Sequence, residues 1–389
     1  MRVLFITGEF PPMQGGVGDY TWSLGVALTQ RGVDVHVLTS NKAGPAHLIP
    51  SGIDDVYADI TNWRWGLARH VQSVVREVQP DVVHIQYQSA AYDVHPAINL
   101  LPRALRKVKQ SPATAVTFHD LRTPYIFPKA GPLRWRANLA LADHANAVIV
   151  TNAEDEARLR SEPAVAGKMY EVPIGANIQP NSPTDFQRAT QRAAWGVGEN
   201  DLLLAYFGFL NDSKGGEELM LAVARLAALG VPVHLLMIGG QVGASDLTNR
   251  AYLQRVEQSI QDMGLSDRVH WTGYITADEV SANFCAADIV VLPYRDGVSF
   301  RRGSLMAAIA HGRPVISTEP VVEIPELKHQ ENIWLTPVRS PELLTQAASY
   351  LWQHPTLRER LGAGAQELAQ QFTWDAIADR HVEIYRAIA

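Results

Sequence analysis

Short runs of consecutive apolar residues recur along the chain, and each is followed, after a turn, by apolar residues at helical spacing. Runs of this length, rich in β-branched side chains, are typical of strands buried on both faces of a parallel sheet. In the first half they predict strands at residues 2–7, 33–39, 81–86, 113–117, 147–151 and 170–173. The intervening segments predict helices at residues 19–31, 66–78, 94–108 and 133–143. This alternation predicts a doubly wound α/β domain.

The alternation starts again after residues 175–199, a segment without apolar periodicity that is rich in Gly, Pro, Asn, Ser and Gln. Such a composition predicts a linker. Beyond it, strands are predicted at residues 202–207, 233–238, 268–271, 289–292 and 314–318. Helices are predicted at residues 217–229, 248–263, 277–286 and 304–310, and again from about residue 340 onward. The second half is therefore also expected to be Rossmann-like, with ligands at the carboxyl ends of its strands.

The composition and charge restrict the class of protein. A chain of 389 residues exceeds what one hydrophobic core usually supports, which agrees with two domains. A net charge of −6 and a pI near 6.1 argue against a nucleic-acid binder. The single cysteine, Cys285, excludes a disulfide within the chain, and we expect a buried structural thiol. Without a signal peptide or a run of about 18 apolar residues, we expect a cytoplasmic protein, and attachment to a membrane surface stays open.

Residues 287–318 contain a candidate anion site. A buried strand, a polar loop and a helix follow one another there, and the loop brings Arg301 and Arg302 to the start of the helix. Free backbone N–H groups at a helix N-terminus, together with two guanidinium groups, suit a phosphate. The alternative is a solvated loop that carries two surface arginines.

A glycine-rich turn follows the first strand. Gly15, Gly16 and Gly18 would let the backbone approach a ligand closely at the start of the next helix. The pattern is not GxGxxG, and no acidic residue ends the second strand, so a dinucleotide site is not indicated. A tight strand–helix turn without a ligand is the alternative.

A histidine and a carboxylate, His119 and Asp120, end the fourth predicted strand. Strand ends are where an α/β sheet presents side chains to a ligand, so this pair is a candidate proton or hydrogen-bond station. A histidine satisfied inside the structure is the alternative. His84, inside the preceding strand, is expected to serve packing.

A lysine, Lys214, precedes the first helix of the second half. At this turn its ammonium group could hold a diphosphate as a point charge. The alternative is an ordinary exposed lysine.

Residues 125–129 and 133–136 mix aromatic with basic side chains. This mixture suits a membrane interface or a lipid-linked acceptor. A loop that folds over its own helix is the alternative.

Taken in order, these motifs resemble those of the family-four retaining glycosyltransferases (glycosyl transferases group 1), which have the GT-B fold. The resemblance covers nearly the whole chain, and it depends on the order and spacing of motifs that are each weak alone. The matching segments are 9–12 with 15–18, 119–120, 173–178, 207–208 with 214–215, 271–274, 287–293, 310–318 and 372–375 with Tyr385.

The resemblance implies an α/β fold in which two Rossmann-like, doubly wound domains face each other across a cleft, with a C-terminal helix that returns to the N-terminal domain. It implies an acceptor-binding domain at residues 1–178, completed by helix 374–389, and a nucleotide-sugar-binding domain at 197–373. It also implies a reaction in which fixed donors and cations stabilise a leaving diphosphate. We therefore expect no metal and no cofactor beyond the nucleotide-sugar substrate.

The family pattern also assigns roles to single residues. His119 would hydrogen-bond the transferred sugar, Gly16 would approach the diphosphate or the reacting sugar, and Asp120 is the third residue expected to be catalytic. Lys214 would neutralise the diphosphate and Tyr274 would lie beside the nucleobase. The residues expected to bind the donor are Gly15, Gly208, Lys214, Gly239, Tyr274, Asp296, Ser299, Arg301, Arg302, Gly303 and Ser304.

Three positions depart from the family pattern. Ser299 and Ala307 stand where the family usually has two glutamates, of which the second holds the ribose hydroxyls. Phe209 stands where the family usually has an arginine. The chain therefore lacks one phosphate cation and both acidic contacts.

Neighbouring residues offer a replacement for these contacts. We hypothesise that Arg301 or Arg302 supplies the missing cation from the other side, with the backbone N–H groups of Gly303 and Ser304. Asp296 could then bind a sugar hydroxyl.

The expected function is transfer of a hexose from a nucleotide-sugar, with a UDP-sugar favoured, to a glycan or lipid-linked glycan in polysaccharide biosynthesis. A nucleotide-sugar epimerase or a sucrose-type synthase is a second possibility on the same fold. A third is a degenerate, non-catalytic regulator that binds nucleotide-sugar or glycan, for which the missing glutamates argue. Retention of Gly16, His119 and Lys214 argues against it.

Overall fold

A computed structural model gives the structure of the protein. It describes residues 1–13, 15–44, 52–53, 55–121, 131–181, 186–240 and 247–389. They form two compact units: unit 1 is Met1–Gly175 with Trp374–Ala389, and unit 2 is Ala176–Thr373. Each unit is built on one parallel sheet, so the predicted fold class of two parallel-sheet α/β domains is confirmed. Within these residues, every helix is too short or too polar to span a lipid bilayer.

Unit 1 has a seven-stranded sheet with the strand order β3-β2-β1-β4-β5-β6-β7. Its strands are β1 (Arg2–Thr7), β2 (Asp34–Ser40), β3 (Asp55–Ile60), β4 (Val82–Tyr87), β5 (Ala113–Phe118), β6 (Ala147–Val150) and β7 (Met169–Glu171). Its first five helices are α1 (Gly16–Thr29), α2 (Leu67–Val78), α3 (Leu101–Leu105), α4 (Gly131–His144) and α5 (Ala153–Leu159). Along β1, Val3 and Phe5 enter one hydrophobic core and Leu4 and Ile6 another, so both faces of the sheet are covered.

Unit 2 has a six-stranded parallel sheet with the strand order β10-β9-β8-β11-β12-β13. Its strands are β8 (Leu202–Phe207), β9 (Val233–Ile238), β10 (Val269–Trp271), β11 (Ile289–Leu292), β12 (Val315–Thr318) and β13 (Trp334–Thr336). Its helices are α6 (Arg188–Ala193), α7 (Gly216–Ala228), α8 (Leu247–Asp262), α9 (Ala277–Ala286), α10 (Gly303–Ala310), α11 (Pro341–Gln353) and α12 (Pro355–Ala369).

The last helix, α13 (Trp374–Ile388), belongs to unit 1 and packs on α1. Arg31 near the end of α1 donates to the Asp375 carboxylate at 3.0 Å. At the first residue of α13, a Cβ atom on Gly175 would lie 2.8 Å from the Trp374 ring, so only glycine permits this close packing. The helix therefore brings distant residues against the unit 1 sheet.

Unit 1 differs from the expectations in three places. The edge strand β3 was not predicted, because its residues are mostly half-exposed and lack an apolar run. Helix α5 was not predicted either; Asn152 caps it, and it begins with three acidic residues instead of apolar ones. The predicted helix at 94–108 is wrong in extent, since only α3 is α-helical there.

Unit 2 also departs from the expectations. The predicted linker 175–199 contains α6, whose Arg192 side chain is almost completely buried and pairs with Asp288 at 3.0 Å. Strand β13 was missed because it has only three residues. Cys285 is only partly buried, so the expectation of a buried thiol is wrong.

Candidate functional site

The glycines in the turn before α1 differ in the space around them. Gly15 precedes α1, and a Cβ atom there would lie 1.4 Å from the Glu9 carboxylate. A Cβ on Gly18 would lie 3.2 Å from the Glu9 backbone. At Gly16, however, a Cβ would meet no described atom within 4 Å. The tight-turn account therefore explains Gly15 and Gly18, while Gly16 leaves room for a ligand.

Glu9, which the sequence analysis cited only as part of a motif, lies beside this turn. Its Oε2 atom is buried and contacts no hydrogen-bond partner among the described residues. Burial, reinforced by the charge of Asp19, raises the pKa of Glu9 to about 7. A polar ligand at this turn would meet a carboxyl oxygen that no described residue engages.

His119 follows β5 and lies against polar groups of neighbouring elements. Its Nε2 atom is 2.8 Å from Oε1 of Gln86 on β4, and Tyr20 of α1 packs against the ring with its edge, 4.7 Å between centroids. Burial, and then the nearby His381, lower the pKa of His119 to about 3. His119 is therefore a neutral hydrogen-bonding group at physiological pH.

A buried network extends behind Gln86. His84 Nδ1 lies 2.6 Å from the Tyr385 hydroxyl, and His84 Nε2 lies 2.8 Å from the Thr117 hydroxyl. From α13, His381 Nε2 lies 3.5 Å from the hydroxyl of Tyr20. All these side chains are at most 2% exposed. The group is called here the His119 cluster, and its members are His119, Gln86, His84, Thr117, Tyr20, His381 and Tyr385.

The predicted donor residues of unit 2 gather around the ends of β8 and β11. Gly208 directly follows β8 with φ of 113°, and a Cβ there would lie 3.8 Å from the Ser304 side chain. Ser304, in the first turn of α10, lies 2.6 Å from the buried Tyr294 hydroxyl. Gly239, after β9, donates its N–H to the Thr272 hydroxyl at 3.0 Å. The loops after β8 and β11 therefore lie beside the start of α10.

Three cations and one carboxylate meet in this place, and with Tyr294 they are called here the Lys214 cluster. The Lys214 ammonium and the Arg302 guanidinium lie 5.1 and 4.9 Å from the Tyr294 ring centre. Asp296 accepts from Arg301 at 3.3 Å and also pairs with Arg302. With one carboxylate against three cations, the cluster suits an anion.

The charge state of Lys214 depends on this environment. Burial lowers the pKa of Lys214 to about 7; Arg302 and Arg301 add to this shift, and Asp296 opposes it. A bound anion would raise the pKa of Lys214 again, because its negative charge favours the protonated ammonium.

Arg295 fixes the turn that carries Lys214. Its guanidinium donates to Glu218 at 2.8 Å and to Glu217 at 2.6 Å, and its backbone N–H donates to the Ser213 carbonyl at 2.9 Å. Gly215 has φ of 70°, and a Cβ there would lie 2.0 Å from the Pro293 carbonyl oxygen. The sequence analysis missed Arg295, because its partners lie about eighty residues away in the chain.

Two family models match the chain, one in each unit. The glycosyl transferase 4-like domain matches residues 15–175, and the glycosyl transferases group 1 domain matches residues 201–354. The chain belongs to the family-four GT-B glycosyltransferases. The predicted family is thereby confirmed, and the chain is a glycosyltransferase that uses a nucleotide-sugar donor.

Relatives of this glycosyltransferase cover its whole length. The GDP-mannose-dependent alpha-(1-6)-phosphatidylinositol monomannoside mannosyltransferase of Mycobacterium tuberculosis is 23% identical, over 99% of this chain and 98% of that protein. D-inositol 3-phosphate glycosyltransferase of Corynebacterium diphtheriae is 22% identical, over 99% and 94%. Anabaena HepE, solved with UDP, superposes with a TM-score of 0.77 at 19% identity, over 100% of both chains. The structural likeness shows the GT-B fold.

Of the three positions that the sequence analysis identified as departures from the family pattern, two are buried and one is partly buried. Ser299 is 8% exposed and its carbonyl accepts from the Arg302 N–H at 3.1 Å. Ala307 is completely buried within α10, and Phe209 is partly buried after β8. Arg301 and Arg302 do lie in one cluster with Lys214, as the compensation hypothesis requires, but Asp296 engages both. That carboxylate is therefore not available solely for a sugar hydroxyl.

The remaining predicted residues have no further support from the geometry. Tyr274 follows Gly273 and is 74% exposed, so a base could stack on it. Asp120 is partly buried directly after His119. The aromatic segment 125–129 lies outside the described residues, whereas Leu133 is 70% exposed on α4.

Proposed function

We propose that this glycosyltransferase moves a hexose from a nucleoside diphosphate sugar to a hydroxyl of a glycan or lipid-linked glycan, with retention of configuration at the anomeric carbon. Unit 2 binds the donor and unit 1 binds the acceptor and the transferred sugar. The observation that carries the proposal is the Lys214 cluster at the start of α10, since bond cleavage leaves a diphosphate whose new charge needs fixed cations.

Residues of the chain can stabilise the leaving diphosphate and bind the transferred sugar. As the sugar–phosphate bond breaks, the electron pair goes to the diphosphate, which Lys214 and the α10 N-terminus stabilise. The acceptor hydroxyl attacks from the same face and passes its proton to the leaving phosphate, so neither a nucleophilic carboxylate nor a metal is needed. His119 binds a hydroxyl of the transferred sugar as a neutral group.

Two nucleotides are candidates for the donor, UDP and GDP. The sequence analysis favours a UDP-sugar, and Anabaena HepE was solved with UDP. The mycobacterial mannosyltransferase is GDP-mannose-dependent by name. We propose a UDP-sugar as donor, with GDP-mannose as the competing candidate.

The distribution of charge in unit 1 supports a lipid-linked acceptor. Residues 61–140 contain eleven Lys and Arg but only four Asp and Glu, although the whole chain carries a net charge of −6. On this part of unit 1, Trp65 is 67% exposed and Leu133 is 70% exposed. Exposed apolar side chains among cations suit the surface of an anionic membrane. We therefore propose a cytoplasmic enzyme that binds peripherally to the inner membrane face.

The first experiment presents the purified protein with UDP-glucose, UDP-N-acetylglucosamine and GDP-mannose. A rise in melting temperature would identify the bound donor, and release of UDP or GDP would show turnover. Chelation of divalent metal should leave the release rate unchanged, and the anomeric configuration of the product tests retention. A protein that binds no donor would contradict the proposal and favour a regulator.

A further inference from the structure

Gln86 lies directly behind the sugar-binding candidate His119. In the parallel pair β4–β5, Gln86 is in register with Thr117, and both side chains are completely buried. Gln86 Oε1 is 2.8 Å from His119 Nε2. A buried amide has both an acceptor and two donors, so which end faces His119 decides which ring nitrogen carries the proton.

The far end of the network determines the orientation of this amide. The buried Tyr385 hydroxyl has one acceptor within reach among the described residues, His84 Nδ1 at 2.6 Å. A buried hydroxyl proton without a partner is costly, so the hydroxyl donates and Nδ1 accepts. The His84 proton is therefore on Nε2, which donates to Thr117 at 2.8 Å.

Because His84 Nδ1 accepts a hydrogen bond, it determines which end of the Gln86 amide lies beside it. The Gln86 amide nitrogen lies 3.5 Å from this atom, and only the N–H₂ end can face an acceptor without repulsion. The amide oxygen then faces His119, whose Nε2 must donate to it. Nδ1 of His119 is left without a partner in the described part of the chain.

The charged groups around His119 do not favour an imidazolium. Tyr20 from α1 packs on the His119 ring, and His84 from β4 lies beside Gln86. His381 and Tyr385 from α13 pack on His84. None of these supplies a negative charge, and burial with His381 lowers the pKa of His119 to about 3.

We propose that Gln86 is a positioning residue that holds His119 as the neutral ring with its proton on Nε2, so that Nδ1 accepts a hydrogen bond from a hydroxyl of the transferred sugar. This inference rests on the proposed function only for the identity of that hydroxyl. The tautomer itself is a property of the free protein.

The direct test is a spectrum of the full chain labelled with ¹⁵N-histidine, without ligand, at pH 7. The His119→Ala variant identifies the His119 signals by their loss. We expect the ring proton of His119 on Nε2 and a bare Nδ1. A proton on Nδ1 in the unsubstituted protein would overturn the inference, whether or not transfer activity is found.

Two substitutions of Gln86 give a kinetic test. Gln86→Met removes the acceptor at similar volume, so we expect a mixture of tautomers and a kcat lower by about tenfold, the effect of one lost hydrogen bond. The KM for the donor should change little, because the Lys214 cluster is untouched. An unchanged tautomer and an unchanged kcat would also overturn the inference.

Gln86→Glu keeps the acceptor oxygen but adds a negative charge, which raises the pKa of His119. Activity should then fall as the pH is lowered through this raised pKa, because Nδ1 gains a proton and no longer accepts. The unsubstituted protein should show no such fall from pH 8 to pH 5. A Gln86→Glu profile identical to that of the unsubstituted protein would contradict the inference.

Gln72→Met is the matched control. The Gln72 amide donates to the Ala104 carbonyl at 2.9 Å in the same unit, without any contact to the His119 cluster. It should leave the tautomer, kcat and pH profile unchanged. If no donor is turned over by the unsubstituted protein, the proposed function fails, yet the spectrum still decides the tautomer.

Discussion

The His119 cluster and the Lys214 cluster each contain a residue that lies just after a strand of a parallel sheet. They differ in charge. In the first, three histidines with lowered pKa values share hydrogen bonds with hydroxyl and amide groups. In the second, three cations surround one carboxylate.

The difference matches the groups that each unit is proposed to bind. A sugar is neutral and offers hydroxyls, so a buried uncharged network can hold it without the cost of desolvating an ion. A diphosphate gains charge during the reaction, so cations fixed beforehand stabilise the transition state more than the ground state. The comparison therefore predicts that substitutions in the two clusters will change different kinetic quantities.

The largest effect is expected from Lys214→Met. This change removes the ammonium at nearly constant chain length, so we expect kcat/KM for the donor to fall by about 100-fold or more, as for other fixed groups that stabilise developing charge. Affinity for the free nucleoside diphosphate, measured by calorimetry, should fall as well.

Lys328→Met is the control for this prediction, because Lys328 is an exposed lysine of the same unit whose ammonium lies 3.9 Å from the Glu331 carboxylate. It should behave like the unsubstituted protein. Equal effects of both substitutions would show that Lys214 has no special role.

A slightly smaller effect, of a different kind, is expected from His119→Ala. Loss of the sugar contact should lower kcat by about 10- to 100-fold, within the range for a group that acts on the reacting substrate. The affinity for the free nucleoside diphosphate should not change, because that ligand lacks the transferred sugar. A large loss of nucleotide affinity in His119→Ala would contradict the proposal that the two clusters bind different parts of the donor.

Local patterns predicted the parts of the fold that have strong apolar periodicity. Strands β8, β9 and β11 have the predicted bounds, since each is a mostly apolar run buried on both faces, with His234 as the one polar residue among them. Edge strands β3 and β13 were missed, because one is half-exposed and the other has three residues. Burial on both faces is what makes a strand visible in the sequence.

The candidate site was predictable to the extent that its residues lie at turns. Lys214 and Arg301 stand at strand–helix turns, where position alone indicates a ligand group. Gln86 and Tyr385 were missed as site residues, because they come together from positions about 300 residues apart. Besides His119 at its strand end, His84 and Gln86, two polar residues at alternate positions of a buried strand, were a local signal of this network.

A pH profile should separate the clusters further. Because the pKa of Lys214 is about 7 in the free protein, raising the pH above 7 removes its charge, and binding an anion then requires uptake of a proton. Affinity for a nucleoside diphosphate should fall by up to about tenfold per pH unit between pH 7.5 and 9.

Lys214→Arg should abolish this dependence, since arginine keeps its charge throughout the range. His119→Ala should retain it, because His119 is already neutral above pH 7. A flat profile for the unsubstituted protein would mean that Lys214 is not in contact with the phosphates.

The smallest effects are expected from the two arginines that are proposed to replace the family's missing cation. Arg301→Ala and Arg302→Ala should each weaken donor binding by about tenfold or less, the effect of one charge-assisted hydrogen bond that Asp296 already partly neutralises. Donor affinity measured by calorimetry at one ionic strength gives the comparison. If neither change weakens binding, the compensation hypothesis is wrong.

Asp296→Asn should change nucleotide affinity in the opposite direction, and this makes the prediction specific. The change releases both guanidinium groups toward the ligand, so affinity for a free nucleoside diphosphate should rise a few-fold. The same change removes the carboxylate that pairs with two largely buried cations, so unit 2 should lose about 2 kcal/mol of stability. Glu383→Gln, which breaks an exposed pair with Arg380 in unit 1, should change neither quantity measurably. Tighter binding together with a lower melting temperature would show that Asp296 restrains the arginines, whereas weaker binding would assign the carboxylate itself to the donor sugar.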